Sequence, residues 1–193
     1  DPALWAAAGA PRQARLVASL RSLDADLRDR YAVSLVVRVG SPLTVVPALA
    51  TEVGAGAVHV TAETTPYGRR RDTAVRAALN AQGRELVATG TAYAIGPGTV
   101  RTGGGTPYRV FTPFARAWRA LGAPGPAPAP SRLIGLRAVP SDDLPLVESS
   151  SVAAVGVGAG ESAARVRWEE FLRDGVADYS QRRHRPDLDG TSR

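Results

Sequence analysis

The chain closes on Asp189-Gly190-Thr191-Ser192-Arg193, a glycine turn followed by two hydroxyls and a guanidinium. Thr191 and Ser192 stand where a helix would start. Backbone N–H groups and hydroxyls there suit an anion such as a phosphate. The same residues also serve as an ordinary N-cap. A second cationic cluster, Arg69-Arg70-Arg71-Asp72, could touch phosphates or could simply be a solvated helix start. Three arginines sit poorly at the positive end of a helix dipole, and Asp72 offsets them only in part. "RTGGGTPY" (101–108) is rich in glycine but lies between no strand–helix pair, so it reads as a flexible turn rather than a phosphate cradle. His59 falls in an apolar strand and His184 in a basic tail. Neither has partners for metal binding or acid–base work. There is no cysteine, which excludes disulfides and thiolate chemistry from this segment and fits a cytoplasmic protein.

The chemistry on offer is therefore anion binding, and the charge balance agrees. All 24 basic residues are arginine, against 18 carboxylates, leaving a net charge of +6. Substituting Arg for Lys under a GC-rich genome would not change that excess, which permits a polyanionic partner. A hydrophobic fraction of 44% is enough for a packed core. No apolar run approaches the roughly 20 residues of a membrane span. The start lacks an initiator Met and the end carries a helix signal with no helix after it, so the chain reads as a piece of a larger soluble protein.

These groups must be held by elements, and the spacing names most of them. Leu16, Leu20, Leu23 and Leu27 recur at helical intervals over residues 11–30. "SLVVRV" (34–39), "GAVHV" (56–60) and "RELVAT" (84–89) read as three short strands. Between them, 42–54 and 69–83 read as helices, stopped by Gly54 and Gly83. Pro47 is an awkward interior residue of the first. Alternating strands and helices predict an α/β fold with a Rossmann-like parallel sheet over residues 1–121. Residues 122–160, opening with "GAPGPAPAP", read as an interdomain linker. Helical spacing resumes through Val166, Trp168, Phe171 and Leu172, so 161–193 reads as the start of an all-α domain.

Three segments carry a family likeness. "TPYGRRRD" (65–72), "TPYRVFTPFARAW" (106–118) and "RPDLDGTSR" (185–193), in that order, resemble the DNA photolyase/cryptochrome family over nearly the whole chain. The resemblance implies an α/β antenna domain lacking its first two strands and the intervening helix, followed by the start of a helical FAD-binding domain. It implies light-driven repair of cyclobutane pyrimidine dimers by electron transfer from reduced FAD. It implies DNA containing pyrimidine dimers as partner, no membrane association and a monomer. Carried over by position, Tyr179, Thr191, Ser192 and Arg193 would contact the flavin, Arg183 would face DNA, and Arg12 and Glu63 would line the antenna pocket. "T-P-Y-G-R" is closer to members that bind 8-hydroxy-deazaflavin than to those that bind methenyltetrahydrofolate. The family's usual Trp-Asn pair is replaced here by Val60-Thr61, which removes packing and hydrogen bonds from that pocket. A cryptochrome photoreceptor without repair activity and a stand-alone nucleotide-binding α/β module are the competing readings.

Overall fold

The structure is a computed structural model that describes residues 1–125, 127–136, 138–147, 158–185 and 187–188. Among these, the order is α1 (Pro2–Ala7), α2 (Ala10–Tyr31), α3 (Pro42–Glu52), β1 (Ala57–Ala62), α4 (Pro66–Asn80), β2 (Glu85–Thr91), α5 (Phe111–Leu121), α6 (Glu161–Asp174) and α7 (Tyr179–Arg182). The chain divides into two compact units. One comprises Asp1 with residues 38–131, the other residues 2–37 with 132–193.

The first unit is the α/β layer. β1 and β2 run parallel, in register from Ala57 opposite Glu85 to Thr61 opposite Thr89. The register then slips, so that Ala62 faces Thr91 across the irregularity at Gly90, whose φ is +63°. Ala50 of α3, Val75 and Leu79 of α4 and Leu86 of β2 form the buried cluster, with Val46, Val58 and Val60 packed against it. Val75 and Leu79 lie four residues apart, one turn of one helix face, which is why this stripe covers the sheet. α4 stops as expected. Gly83 takes φ +68°, and the Arg84 N–H donates to the Leu79 carbonyl at 3.0 Å.

α4 begins three residues earlier than its apolar spacing predicts. Pro66 occupies the first helical position, and the Thr65 hydroxyl caps the turn by accepting the Gly68 N–H at 3.1 Å. α3 runs through Pro47, which is buried, so the missing N–H falls inside a single continuous helix. Helices α1 and α5 were not anticipated. α5 follows a stretch crowded with Gly and Pro, and its pattern becomes clear only from Phe111 onward.

In the second unit, α2 forms where the leucine spacing predicts a helix, but the residues it buries are Ala14 and Val17, while Leu16 and Leu23 of the expected stripe are exposed. The expected strand at 34–39 is corrected here: among the described residues it joins no sheet. Its backbone groups bond elsewhere. The Leu35 N–H donates to Asp24 Oδ1 at 2.8 Å and the Val37 N–H to Ser141 Oγ at 2.9 Å. The Asp142 N–H donates to the Val37 carbonyl at 2.9 Å. A β-branched run predicts extended backbone but not what pairs with it. The described residues of 122–147 contain no helix or strand, and helix returns at α6, as the spacing predicts. No helix among the described residues is long and apolar enough to cross a membrane.

Candidate functional site

The carboxyl end of β1 and the first turn of α4 form one tightly built corner. Open α/β sheets bind ligands at this edge, where strands end and helix N-termini begin. Glu63 leaves β1 and folds back on its own turn, half-buried. Its Oε1 accepts the Thr64 N–H at 2.8 Å and the Thr65 N–H at 3.2 Å. Those two backbone hydrogen bonds, helped by the nearby Arg71 charge, hold its carboxyl below the usual glutamate range against a smaller opposing effect of burial. The side chain can lie there only because residue 68 is glycine. A Cβ on Gly68 would stand 1.7 Å from Glu63 Cγ. Glu63 Oε2 has no protein partner among the described residues and is the atom left to meet a ligand.

Around this corner Tyr67 donates its phenol to Asp1 Oδ2 at 2.6 Å. Arg71 lies 5.9 Å from the Tyr67 ring centroid and pairs with Asp72 Oδ1 at 2.7 Å. Of the three arginines in "RRRD", Arg71 is thus tied into the protein. Arg69 and Arg70 are exposed and have no side-chain partner among the described residues. Arg12 lies in the first turn of α2, exposed, in the other compact unit from Glu63.

The remaining expected positions fall near the end of the chain. Tyr179 opens α7, and its ring meets Phe171 edge-on at 5.7 Å. Phe171 in turn lies 5.9 Å from Trp168, so the three rings make a continuous aromatic row. The Tyr179 hydroxyl is left with no partner among the described residues. Arg183 follows α7 and donates Nε to His184 Nε2 at 3.0 Å. Thr191, Ser192 and Arg193 lie outside the described residues. Among the described residues no group of His, Cys, Asp or Glu is placed to hold a metal.

One feature escaped the sequence reading. The glycine-rich segment near 98–106 is a pinned loop rather than a slack one. Arg101 donates to the Gly98 and Gly105 carbonyls, both at 2.9 Å, and the Thr102 and Thr106 hydroxyls share a bond at 2.9 Å. This loop and the start of α5 enclose a concavity of about 560 Å³ lined by Thr102, Thr106, Pro107, Tyr108, Arg109 and Val110, with Pro113. Threonines flanking three glycines were its only sequence signal.

The chain is similar to known proteins. The family model described as DNA photolyase matches residues 1–131. A deoxyribodipyrimidine photo-lyase of Streptomyces griseus is 38% identical over 90% of this chain and 39% of its own length. One from a Synechococcus strain is 33% identical over 91% of this chain and 39% of its own length. An uncharacterised 31.6 kDa Synechococcus protein is 33% identical over the whole of this chain and 70% of its own. The crystal structure of a bacterial class III photolyase from Agrobacterium tumefaciens superposes with a TM-score of 0.76 at 23% identity, over 95% of this chain and 40% of that one. The chain therefore spans about two fifths of the photolyases it matches. With a parallel α/β layer, the Thr-Pro-Tyr-Gly corner beside β1 and a match across residues 1–131, the chain belongs to the DNA photolyase family.

Proposed function

We propose that this chain is the antenna unit, with the beginning of the flavin unit, of a deoxyribodipyrimidine photolyase that repairs cyclobutane pyrimidine dimers in light. The observation that carries this reading is likeness to proteins of that name over nine tenths or more of the chain. FAD, bound in its reduced form and excited by light, would supply the electron for dimer cleavage. Tyr179 fits a place beside it: the ring is held edge-on by Phe171, and the hydroxyl remains open to a polar ligand. Thr191, Ser192 and Arg193 would supply the anion contacts of the same site, and Arg183 a phosphate contact to DNA.

At the antenna corner the fit is narrower. Glu63 Oε1 is committed to the turn, so only Oε2 can accept from a chromophore ring. One carboxylate oxygen, locked and ionised, suits a ring N–H or O–H donor, and the preference for 8-hydroxy-deazaflavin over methenyltetrahydrofolate rests on the Thr-Pro-Tyr-Gly-Arg motif of residues 65–69. Val60 and Thr61, standing where the photolyase/cryptochrome pattern usually has Trp and Asn, would leave the chromophore fewer contacts.

The test uses the full-length protein, ultraviolet-damaged DNA and blue light. Loss of dimers in light but not in darkness is the expected result. Bound flavin with no dimer loss would replace this reading with that of a cryptochrome photoreceptor.

A further inference from the structure

The excess positive charge is unevenly placed. The α/β unit holds ten arginines against five carboxylates, while the other unit holds fourteen against thirteen. In the second unit the charges are largely matched, with pairs such as Arg28–Asp24, Arg165–Glu161 and Arg182–Asp178. In the α/β unit only Arg38 and Arg71 have carboxylate partners among the described residues, and Arg84 and Arg101 bond to backbone carbonyls. Arg69, Arg70 and Arg76 of α4 are exposed with no side-chain partner among the described residues.

Those three share one outward face. Val75 and Leu79, with Gly68, mark the inward side of α4. At 100° per residue, Arg69, Arg70, Thr73, Arg76 and Asn80 fall within an arc of about 120° on the other side. That arc contains no carboxylate, because Asp72 lies outside it and is held by Arg71. From Arg69 to Arg76 the helix rises about 10.5 Å, or roughly three phosphate steps of one DNA strand. α4 also has no acid in its first turn and no base in its last, the reverse of what its dipole favours. A polyanion lying along this face would relieve that arrangement.

We infer that the outward face of α4 is a lesion-independent docking surface for the phosphate backbone of duplex DNA, with Arg69, Arg70 and Arg76 as its contacts and Thr73 and Asn80 as neutral hydrogen-bond donors. The inference rests on the DNA-repair reading above and extends it to a surface on the antenna unit. Binding there reads charge and spacing, not sequence or damage. It adds affinity for any stretch of duplex.

The test measures binding of full-length protein to an undamaged 30-base-pair duplex by anisotropy, from 50 to 200 mM KCl. Each phosphate contact contributes about 0.9 to the log–log salt slope. The triple variant R69Q/R70Q/R76Q should lose a slope of about 2.7, so the wild type loses about 40-fold more affinity than the variant over that fourfold rise in salt. Lysine at all three positions should restore the slope, which excludes misfolding as the cause. R165Q, removing an arginine already held by Glu161, should change the slope by no more than about one contact. Parallel salt lines for wild type and triple variant would overturn the inference. Light-dependent dimer loss at saturating DNA is scored separately. If it is absent from the wild type, the repair reading fails whatever the salt slopes show.

Discussion

Glu63 shows how one side chain can be both scaffold and ligand candidate. Its lowered pKa means that the turn's hydrogen bonds favour the carboxylate, so their contribution is complete above the ordinary glutamate value near 4.5. It is lost as pH falls below that value through the depressed one. An amide titration of Thr64 and Thr65 by NMR should therefore break at a pH below 4.5. Gly68→Ala drives a methyl group into Glu63 and should cost about 1–3 kcal/mol in a urea melt, as overpacking does. Glu63→Gln keeps the shape but removes the charge. It should alter the absorbance of added 8-hydroxy-deazaflavin while leaving flavin content unchanged. At the other candidate site, Tyr179→Ala should weaken flavin retention by about 1–2 kcal/mol, read as flavin absorbance per protein after gel filtration. Thr191→Ala should act in the same direction. The position of Glu63 was legible from the sequence through its place in a motif. The two hydrogen bonds that its Oε1 accepts from the Thr64 and Thr65 N–H groups were not, because a motif says which residues recur but not which oxygen is already in use.

At the scale of elements, helices were easier to read than what flanks them. Leucines at helical spacing marked α2, and Gly83 marked the end of α4. The start of α4 was misplaced because apolar periodicity begins inside the helix, whereas Thr65 and Pro66 act through backbone geometry. Segment 34–39 was misread for the opposite reason, since strand-like composition is satisfied by any extended path whose N–H groups find acceptors. Here Asp24 supplies one. Asp24 also binds Arg28, and the two bonds keep its carboxyl below the usual aspartate range. Asp24→Ala should expose the Leu35 N–H and speed its hydrogen exchange, at a cost of about 1.5–3 kcal/mol for the lost hydrogen bond to a charged acceptor. α4 carries an opposite lesson about charge. Replacing Arg69 by Glu puts an acid in the first turn, and it should stabilise the protein by about 0.3–1 kcal/mol. If the outward face holds DNA, the same change should weaken duplex binding, so stability and affinity should move apart in one variant.

For the whole molecule, net charge was legible from composition, but its concentration in one unit was not. Only the fold shows that residues 38–131 gather ten arginines with few acids between them. A duplex that binds the folded chain and not the unfolded one should raise its melting temperature, by about 2.7 kcal/mol of stabilisation at a hundredfold excess over Kd. The shift should disappear in 0.5 M KCl, where exposed charges are screened. The bond from Val37 to Ser141 joins residues 104 positions apart, within one unit. Ribosomes add about 5–20 residues each second. Segment 34–39 therefore waits about 5–20 s for that partner to be made, holding meanwhile only what Asp24, already synthesised, can give it. During that interval a β-branched, extended stretch is open to any passing strand, which makes the order of synthesis, and not only the final energy, a condition for reaching this fold.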